Sequence, residues 1–342
     1  MDQLDIYISG YGVVAKEFVQ LIHDKAETIA SRYSITPKIK GIIIREGIVQ
    51  SEEGLDLTRL LHYGVGTMAI KDYAKDSHYP IQPLDQMSGH VLIEATSTNA
   101  NDGEPAYSYI KQALTSHMDV VSISKGALVH HYEELMQLSQ SVNRRIKFSG
   151  ATAAALPTLD VGEYSLAGMT LTRFEGVLNG TTSYILDDMH EHDIDPVVSL
   201  QRAQEVGIAE KDPEMDVSGK DSANKLFLLA NRFFNQNCHL QDVSVDGIMN
   251  VTRNQIADAK VSNQKIVLLA SAVMDNQTIH MHVRPTPISM AHPLANLAPK
   301  EKGICFYTEE MGRVAVIGGA SSPVGAAGAA LKDMINLVQA NF

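Results

Sequence analysis

The tightest constraint on this chain is a short one. Gly10-x-Gly12-x-x-Ala15 follows the strand-like run Ile6-Tyr7-Ile8-Ser9 and precedes Phe18, Leu21 and Ile22, which recur at helical spacing. The first glycine permits a tight turn, the second lets backbone approach a phosphate, and Ala15 permits close helix–strand packing. The helix start adds unpaired N–H groups and partial positive charge. The pattern predicts a strand–turn–helix that cradles a dinucleotide pyrophosphate. A glycine turn in an α/β domain with no ligand is the competing reading.

The surrounding sequence supports alternating strands and helices. Buried strands are predicted at 40–44, 91–96 and 120–123, with a polar loop at 97–105 and a helix over 106–116. Such interleaving indicates a mostly parallel sheet covered on both faces. After Ser149 the texture changes to a small, Ala-rich segment, then helices at 182–191, 196–206 and 219–234 and strands at 279–283 and 314–317. A second, α+β domain is expected, with a last helix over 325–338 returning to the first.

Composition narrows the function classes. Forty acidic residues against 28 basic ones give a formal charge of −12, which disfavours a general nucleic-acid binder. The longest uncharged apolar stretch, 266–274, is too short to span a bilayer. Only five residues precede the first strand, too few for a signal peptide. Cys238 and Cys305 read as unpaired reduced thiols, so a cytoplasmic protein is expected.

The stretch from Gly207 to Lys225 is the most unusual. Ser218 is read as the N-cap of a helix whose buried face carries Ala223, Leu226, Phe227 and Ala230. Asp221 and Lys225 stand four apart on one face. They form either an exposed ion pair worth a few tenths of a kcal/mol, or a lysine proton donor oriented by Asp221 among Glu210 and Asp216. The second strand ends at Ile44-Arg45-Glu46. A guanidinium at that corner suits a ribose 2′-phosphate, which leans the cofactor toward NADP, while Glu46 keeps NAD open. The pairs His130-His131, His190-x-His192 and His280-x-His282 lack a third ligand nearby in sequence, and no metal ligand set is assigned.

With these residues in view, the chain resembles the homoserine dehydrogenase family in its short form, without a C-terminal regulatory domain. The carriers are Gly10 to Ala15, Glu94-Ala95-Thr96, Val121 to Gly126, the run Leu178-Asn179-Gly180-Thr181-Thr182-Ser183-Tyr184-Ile185-Leu186, the acidic–lysine stretch, and Gly318 to Pro323. The resemblance implies a nicotinamide-dependent oxidoreductase of threonine and methionine biosynthesis that interconverts L-aspartate 4-semialdehyde and L-homoserine. It implies an α/β fold with a Rossmann-type nucleotide-binding domain (1–130 with 318–342). A catalytic and dimerisation domain with a mixed sheet (131–317) and a homodimer follow from it too. It further implies Lys225, Asp221 and Lys125 as catalytic residues, and Glu210, Asp216, Gly180, Thr181 and Gly207 as substrate contacts. Gly10, Gly12, Val13, Val14, Arg45, Thr96, Ser97, Lys125 and Gly318 would contact the cofactor.

Two departures qualify the match. Ser149 stands where the family has a glutamate that helps bind sodium, so a sodium requirement is not expected here. Alanines nearby replace glycines and should stiffen the segment. Ile208 stands where a tyrosine is common. A reductase for a related small amino-acid aldehyde, or a non-catalytic cofactor-binding paralogue, are the alternatives. No feedback inhibition through an appended domain is expected.

Overall fold

A computed structural model describes residues 2–298, 301–319 and 321–339. They form two compact units, Met1–Ala154 with Ser322–Phe342, and Ala155–Ser321.

The first unit is organised by β1 (Asp2–Ser9), whose Ile6, Tyr7 and Ile8 are all fully buried. Burial of consecutive residues on opposite faces is what a central parallel strand requires. β1 pairs in parallel with β2 (Ile35–Ile44) on one side and β5 (Val91–Glu94) on the other. β6 (Asp119–Ser122) and β7 (Ile146–Lys147) continue the parallel set beyond β5. Beyond β2, the short strands β3 (Gly47–Gln50) and β4 (Ile81–Gln82) are antiparallel, so the sheet is mixed at one edge. Helix α1 (Val13–Tyr33) buries Ala15, Phe18, Val19 and Ile22 in the same core as the C-terminal helix (Pro323–Gln339), which contributes Ala327, Ala330, Leu331 and Met334. Helices α2 (Ala106–Thr115) and α3 (Gly126–Ser141) follow β5 and β6.

Residues 131–154 therefore go with the first unit, against the expected boundary at 130, because β7 hydrogen-bonds to β6. Gly318, Gly319 and Ser321 go with the second unit, since Gly318 ends a strand of its sheet. Ala320, part of the Gly-rich run, lies outside the described residues.

The second unit holds a six-stranded sheet in the order β13-β12-β8-β10-β11-β9. These strands are β8 (Leu171–Val177), β9 (Val243–Val245), β10 (Gln264–Asp275), β11 (Thr278–Ser289), β12 (Lys302–Thr308) and β13 (Gly312–Gly318). Among the described residues of this sheet, only the β11–β9 pairing is parallel. Three helices of this unit are α4 (Gly180–His192), α5 (Pro196–Glu205) and α6 (Lys220–Phe234). The C-terminal turn of α6 docks on the sheet through aromatic contacts, Phe233 lying edge-on to Phe174 and Phe306 with ring centroids 5.3 Å apart in each pair. Offset and edge-on aromatic pairs are favourable beyond their buried area. A Cβ on Gly162 would come within 2.2 Å of the Phe233 ring, so only glycine fits there.

Candidate active site

In the first unit the chain turns from β1 into α1 beside the end of β5. Gly10 has φ +78°, and a Cβ on it would sit 3.1 Å from the Ala95 carbonyl oxygen. Gly12 is the N-cap of α1 and exposed, and a Cβ there would meet no protein atom within 4 Å. The chain itself does not demand a glycine at that position. The freedom suits backbone approach by a ligand at the helix N-terminus, where Val13 and Val14 present the first N–H groups. This turn lies between β1 and β5, where the strand order reverses, the usual place for a ligand in an open α/β sheet.

One buried side chain organises the neighbouring loops. Glu94 is fully buried at the end of β5. Its Oε1 accepts hydrogen bonds from the Thr96 N–H (2.8 Å) and hydroxyl (2.5 Å), and its Oε2 accepts from the hydroxyls of Ser122 (3.0 Å) and Ser124 (2.7 Å). Lys125, half-buried, comes next in the chain and caps α3, its N–H donating to Thr98 Oγ1 at 3.4 Å. Ser97 is exposed beside Thr96. Arg45 is exposed at the end of β2. Glu46 is engaged by Lys71 at 2.6 Å, which holds the Glu46 carboxyl below the usual carboxylate range. The residues present thus fit a dinucleotide, with a glycine cradle, a helix N-terminus and a fixed loop.

The second unit contains a cavity of ≈ 540 Å³, within the size range of small-molecule sites. Its lining brings together Gly180, Thr181, Gly207, Ile208, Asp216, Asp221 and Lys225. Asp221 and Lys225 are 9% and 8% exposed, so the pair is buried, contrary to the solvent-exposed reading. Lys225 Nζ donates to Asp221 Oδ2 at 2.5 Å and to the Leu178 carbonyl at 2.8 Å. The Leu178–Asn179 segment just before α4 completes the arrangement. Asn179 is the N-cap of α4, its Oδ1 accepting from the Thr182 N–H at 3.0 Å. Its Nδ2 donates to Asp216 Oδ1 at 2.6 Å and to Asp221 Oδ2 at 2.9 Å.

Other expectations fall differently. Glu210 is exposed and is not among the cavity-lining residues. Gly318, expected at the cofactor, ends β13 in the second unit. Ser218 does not cap α6: the N-cap is Gly219, in a left-handed conformation with φ +83°, and the Ser218 hydroxyl is buried without a partner. The sequence reading passed over Asn179 and Glu94 as site residues, and also Lys302, 6% exposed, which lines the cavity. A polar side chain inside an apolar or small-residue run was the available signal for the first two. His130 and His131 bind the carbonyls of Ala100 and Asp102 at 2.8 and 3.0 Å, holding the loop before α2. Among the described residues no group of three or more His, Cys, Asp or Glu could hold a metal ion.

Comparison with known proteins decides the family. A model of the homoserine dehydrogenase family matches residues 157–335, and a model of its NAD-binding domain matches residues 10–149. A homoserine dehydrogenase of Methanocaldococcus jannaschii is 30% identical over 98% of this chain and 98% of its own length. The chain belongs to the homoserine dehydrogenase family. The chain is thus an NAD(P)-dependent oxidoreductase with an NAD-binding domain. An NAD(+)-dependent homoserine dehydrogenase of Pseudomonas canavaninivorans is also 30% identical, over 99% of this chain and 97% of its own. The crystal structure of a homoserine dehydrogenase from Thiobacillus denitrificans, at 22% identity, shares the fold with a TM-score of 0.83, covering 100% of this chain and 74% of that one.

Ser149, where the resemblance implies a glutamate in the family, has partners in the structure. Ser149 is buried, and its N–H and hydroxyl both donate to Asp333 of the C-terminal helix at 2.9 Å, while Lys332 donates to its hydroxyl at 2.8 Å. Asp333 is itself fully buried. Ala154 lies in the left-handed region with φ +53°, where a glycine would be unstrained. No described helix is long and apolar enough to cross a membrane.

Proposed function

We propose that this homoserine dehydrogenase relative interconverts L-aspartate 4-semialdehyde and L-homoserine, with Lys225 as the group that gives and takes the proton. The buried Asp221–Lys225 pair in the cavity wall carries this reading. When bound, a nicotinamide dinucleotide supplies or accepts the hydride. In the reductive direction negative charge grows on the aldehyde oxygen, and an ammonium beside it both stabilises that charge and delivers a proton. Lys225 Nζ is suited to this role because Asp221 and the Leu178 carbonyl fix its direction. Asp216, which lines the cavity, would hold the substrate's ammonium group. The N-terminus of α4, at Gly180 and Thr181, with the Gly207 turn, would face its carboxylate.

On the resemblance, Lys125 contacts both nicotinamide and substrate, and Thr96 and Ser97 contact the cofactor. The cofactor reading leans to NADP. Arg45 is exposed at the corner where a 2′-phosphate would lie, and the adjacent acid already has Lys71 as a partner. The same reading carries a cytoplasmic homodimer, and light scattering that returned a single chain mass would remove the dimer.

Lys225→Ala is expected to lower turnover by two or more orders of magnitude while the affinity for the reduced cofactor stays close to that of the parent. Near-parent turnover in that variant would end the assignment. A second substrate reading rests on Ile208, which joins Val206 and Leu297 as an apolar part of the cavity lining. Homoserine and a panel of small amino alcohols, each offered with NADP⁺ and NAD⁺ at alkaline pH, separate the two. Preference for a more apolar amino alcohol would favour a related amino aldehyde over aspartate semialdehyde.

A further inference from the structure

The geometry points to Asn179 as the positioning residue that holds Asp221, and through it Lys225, in register with the substrate-facing start of α4. Asn179 is 6% exposed, and its amide is used at both ends. The oxygen caps α4 through Thr182, and the nitrogen reaches both Asp216 and Asp221. Only this orientation pairs donor with acceptor throughout, because a flipped amide would set its oxygen against two carboxylates and its NH₂ against an N–H.

The consequence lies in charge and direction. Asp216 and Asp221 both reach one NH₂ group, so a neutral donor separates two carboxylates that would otherwise repel. With Asp221 Oδ2 fixed by Asn179, the Lys225 ammonium has one anionic anchor and one carbonyl anchor, Leu178 O. Leu178 and Asn179 are adjacent, so the anchor of the lysine, the brace of its carboxylate and the cap of α4 are a single dipeptide. Displacement of a catalytic group by about 1 Å can cost on the order of 10²-fold in rate. The brace prevents that displacement.

Two variants separate positioning from folding. Asn179→Ser keeps a good N-cap but is too short to reach both carboxylates. Asn179→Asp also keeps a cap but replaces the shared donor with a third carboxylate beside Asp216, Asp221 and Lys225. The inference rests on Lys225 as proton carrier, so Lys225→Ala is measured alongside, by turnover. In Asn179→Ser the expected result is a roughly 10- to 100-fold fall in kcat for homoserine oxidation, with an unchanged KM for the nicotinamide dinucleotide and a nearly unchanged melting temperature. In Asn179→Asp the rising, acid-side limb of the kcat profile for homoserine oxidation is expected to move to higher pH, because added negative charge retains the proton that Lys225 must lose to act as base. Parent-like kcat in Asn179→Ser with an unmoved pH profile in Asn179→Asp would overturn the inference. A kcat loss that tracks a collapse of melting temperature in both variants would overturn it too, reducing Asn179 to a cap. Near-parent turnover in Lys225→Ala is a different result, and overturns the lysine assignment on which the inference stands.

Discussion

Glu94 in the first unit and Asp221 in the second are both buried carboxylates at functional turns, yet they are buried by different means. Glu94 is met by neutral donors, namely the Thr96 N–H and the hydroxyls of Thr96, Ser122 and Ser124. Asp221 is met by an ammonium and an amide. Several fixed N–H and O–H groups can stabilise a carboxylate without any counter-charge. Such a cluster holds loops in place but carries no group suited to give up a proton. An ammonium partner changes the chemistry, because the pair holds a proton on a group that faces a cavity. On the proposed reading, the first arrangement is scaffold for a cofactor, and the second is equipment for a reaction.

Removing the scaffold carboxylate should have the larger effect on folding. Glu94→Ala strands the Thr96 N–H and the hydroxyls of Thr96 and Ser124, while the Ser122 hydroxyl keeps the Ser124 carbonyl as acceptor. The expected cost is about 3 kcal/mol or more in urea unfolding. Glu94→Gln keeps one acceptor oxygen and should cost about half as much, with a raised KM for the cofactor because Thr96 and the Ser124–Lys125 turn lose their fixed anchor. If Glu94→Ala unfolded within 1 kcal/mol of the parent, the contrast between scaffold and reactive carboxylate would fail.

A second contrast lies within the glycine turn itself. Gly10 is constrained by the chain, through its φ of +78° and its closeness to Ala95, whereas Gly12 has open space around it. Gly12→Ala should leave stability within about 0.5 kcal/mol of the parent, as for a substitution that touches nothing. Its KM for the dinucleotide should nonetheless rise about tenfold, the scale of 1.4 kcal/mol of lost binding, because the added methyl group occupies the approach to the helix N-terminus. A Gly12→Ala enzyme with parent-like cofactor affinity would place the pyrophosphate elsewhere.

Legibility followed the same division. The β1–turn–α1 unit could be read because strand, turn and helix are contiguous and each has its own local pattern. β8 could not: Arg173 is exposed, and Glu175 is buried against Tyr307 (2.5 Å) and His292 (3.1 Å), partners more than a hundred residues away in sequence. β10 was visible only as an apolar stretch, because burial of successive residues from Ile266 to Ala272 leaves no two-residue alternation. In the site, the i, i+4 spacing of Asp221 and Lys225 was local and legible. Their burial was not, since it depends on Leu178 and Asn179, which precede α4 and lie far from the pair in sequence. The cap of α6 was misplaced because Gly219 adopts the left-handed conformation itself, leaving Ser218 outside the capping geometry.

The smallest expected effect concerns the exposed rim of the first unit. Arg45 is solvent-exposed, so its removal should not disturb folding. A guanidinium that pairs with a 2′-phosphate makes charge-assisted hydrogen bonds that a bare 2′-hydroxyl does not repay. Solvent screening keeps such an exposed pair modest. Arg45→Ala should therefore raise KM for NADP⁺ by roughly five- to tenfold, about 1 kcal/mol, and leave KM for NAD⁺ within twofold. The sign of the difference matters more than its size. An equal change for both nucleotides would mean that Arg45 acts on the shared part of the cofactor. A parent enzyme that already prefers NAD⁺ strongly would remove the 2′-phosphate role, leaving Glu46, once released from Lys71, as the residue at that corner able to accept from a ribose hydroxyl.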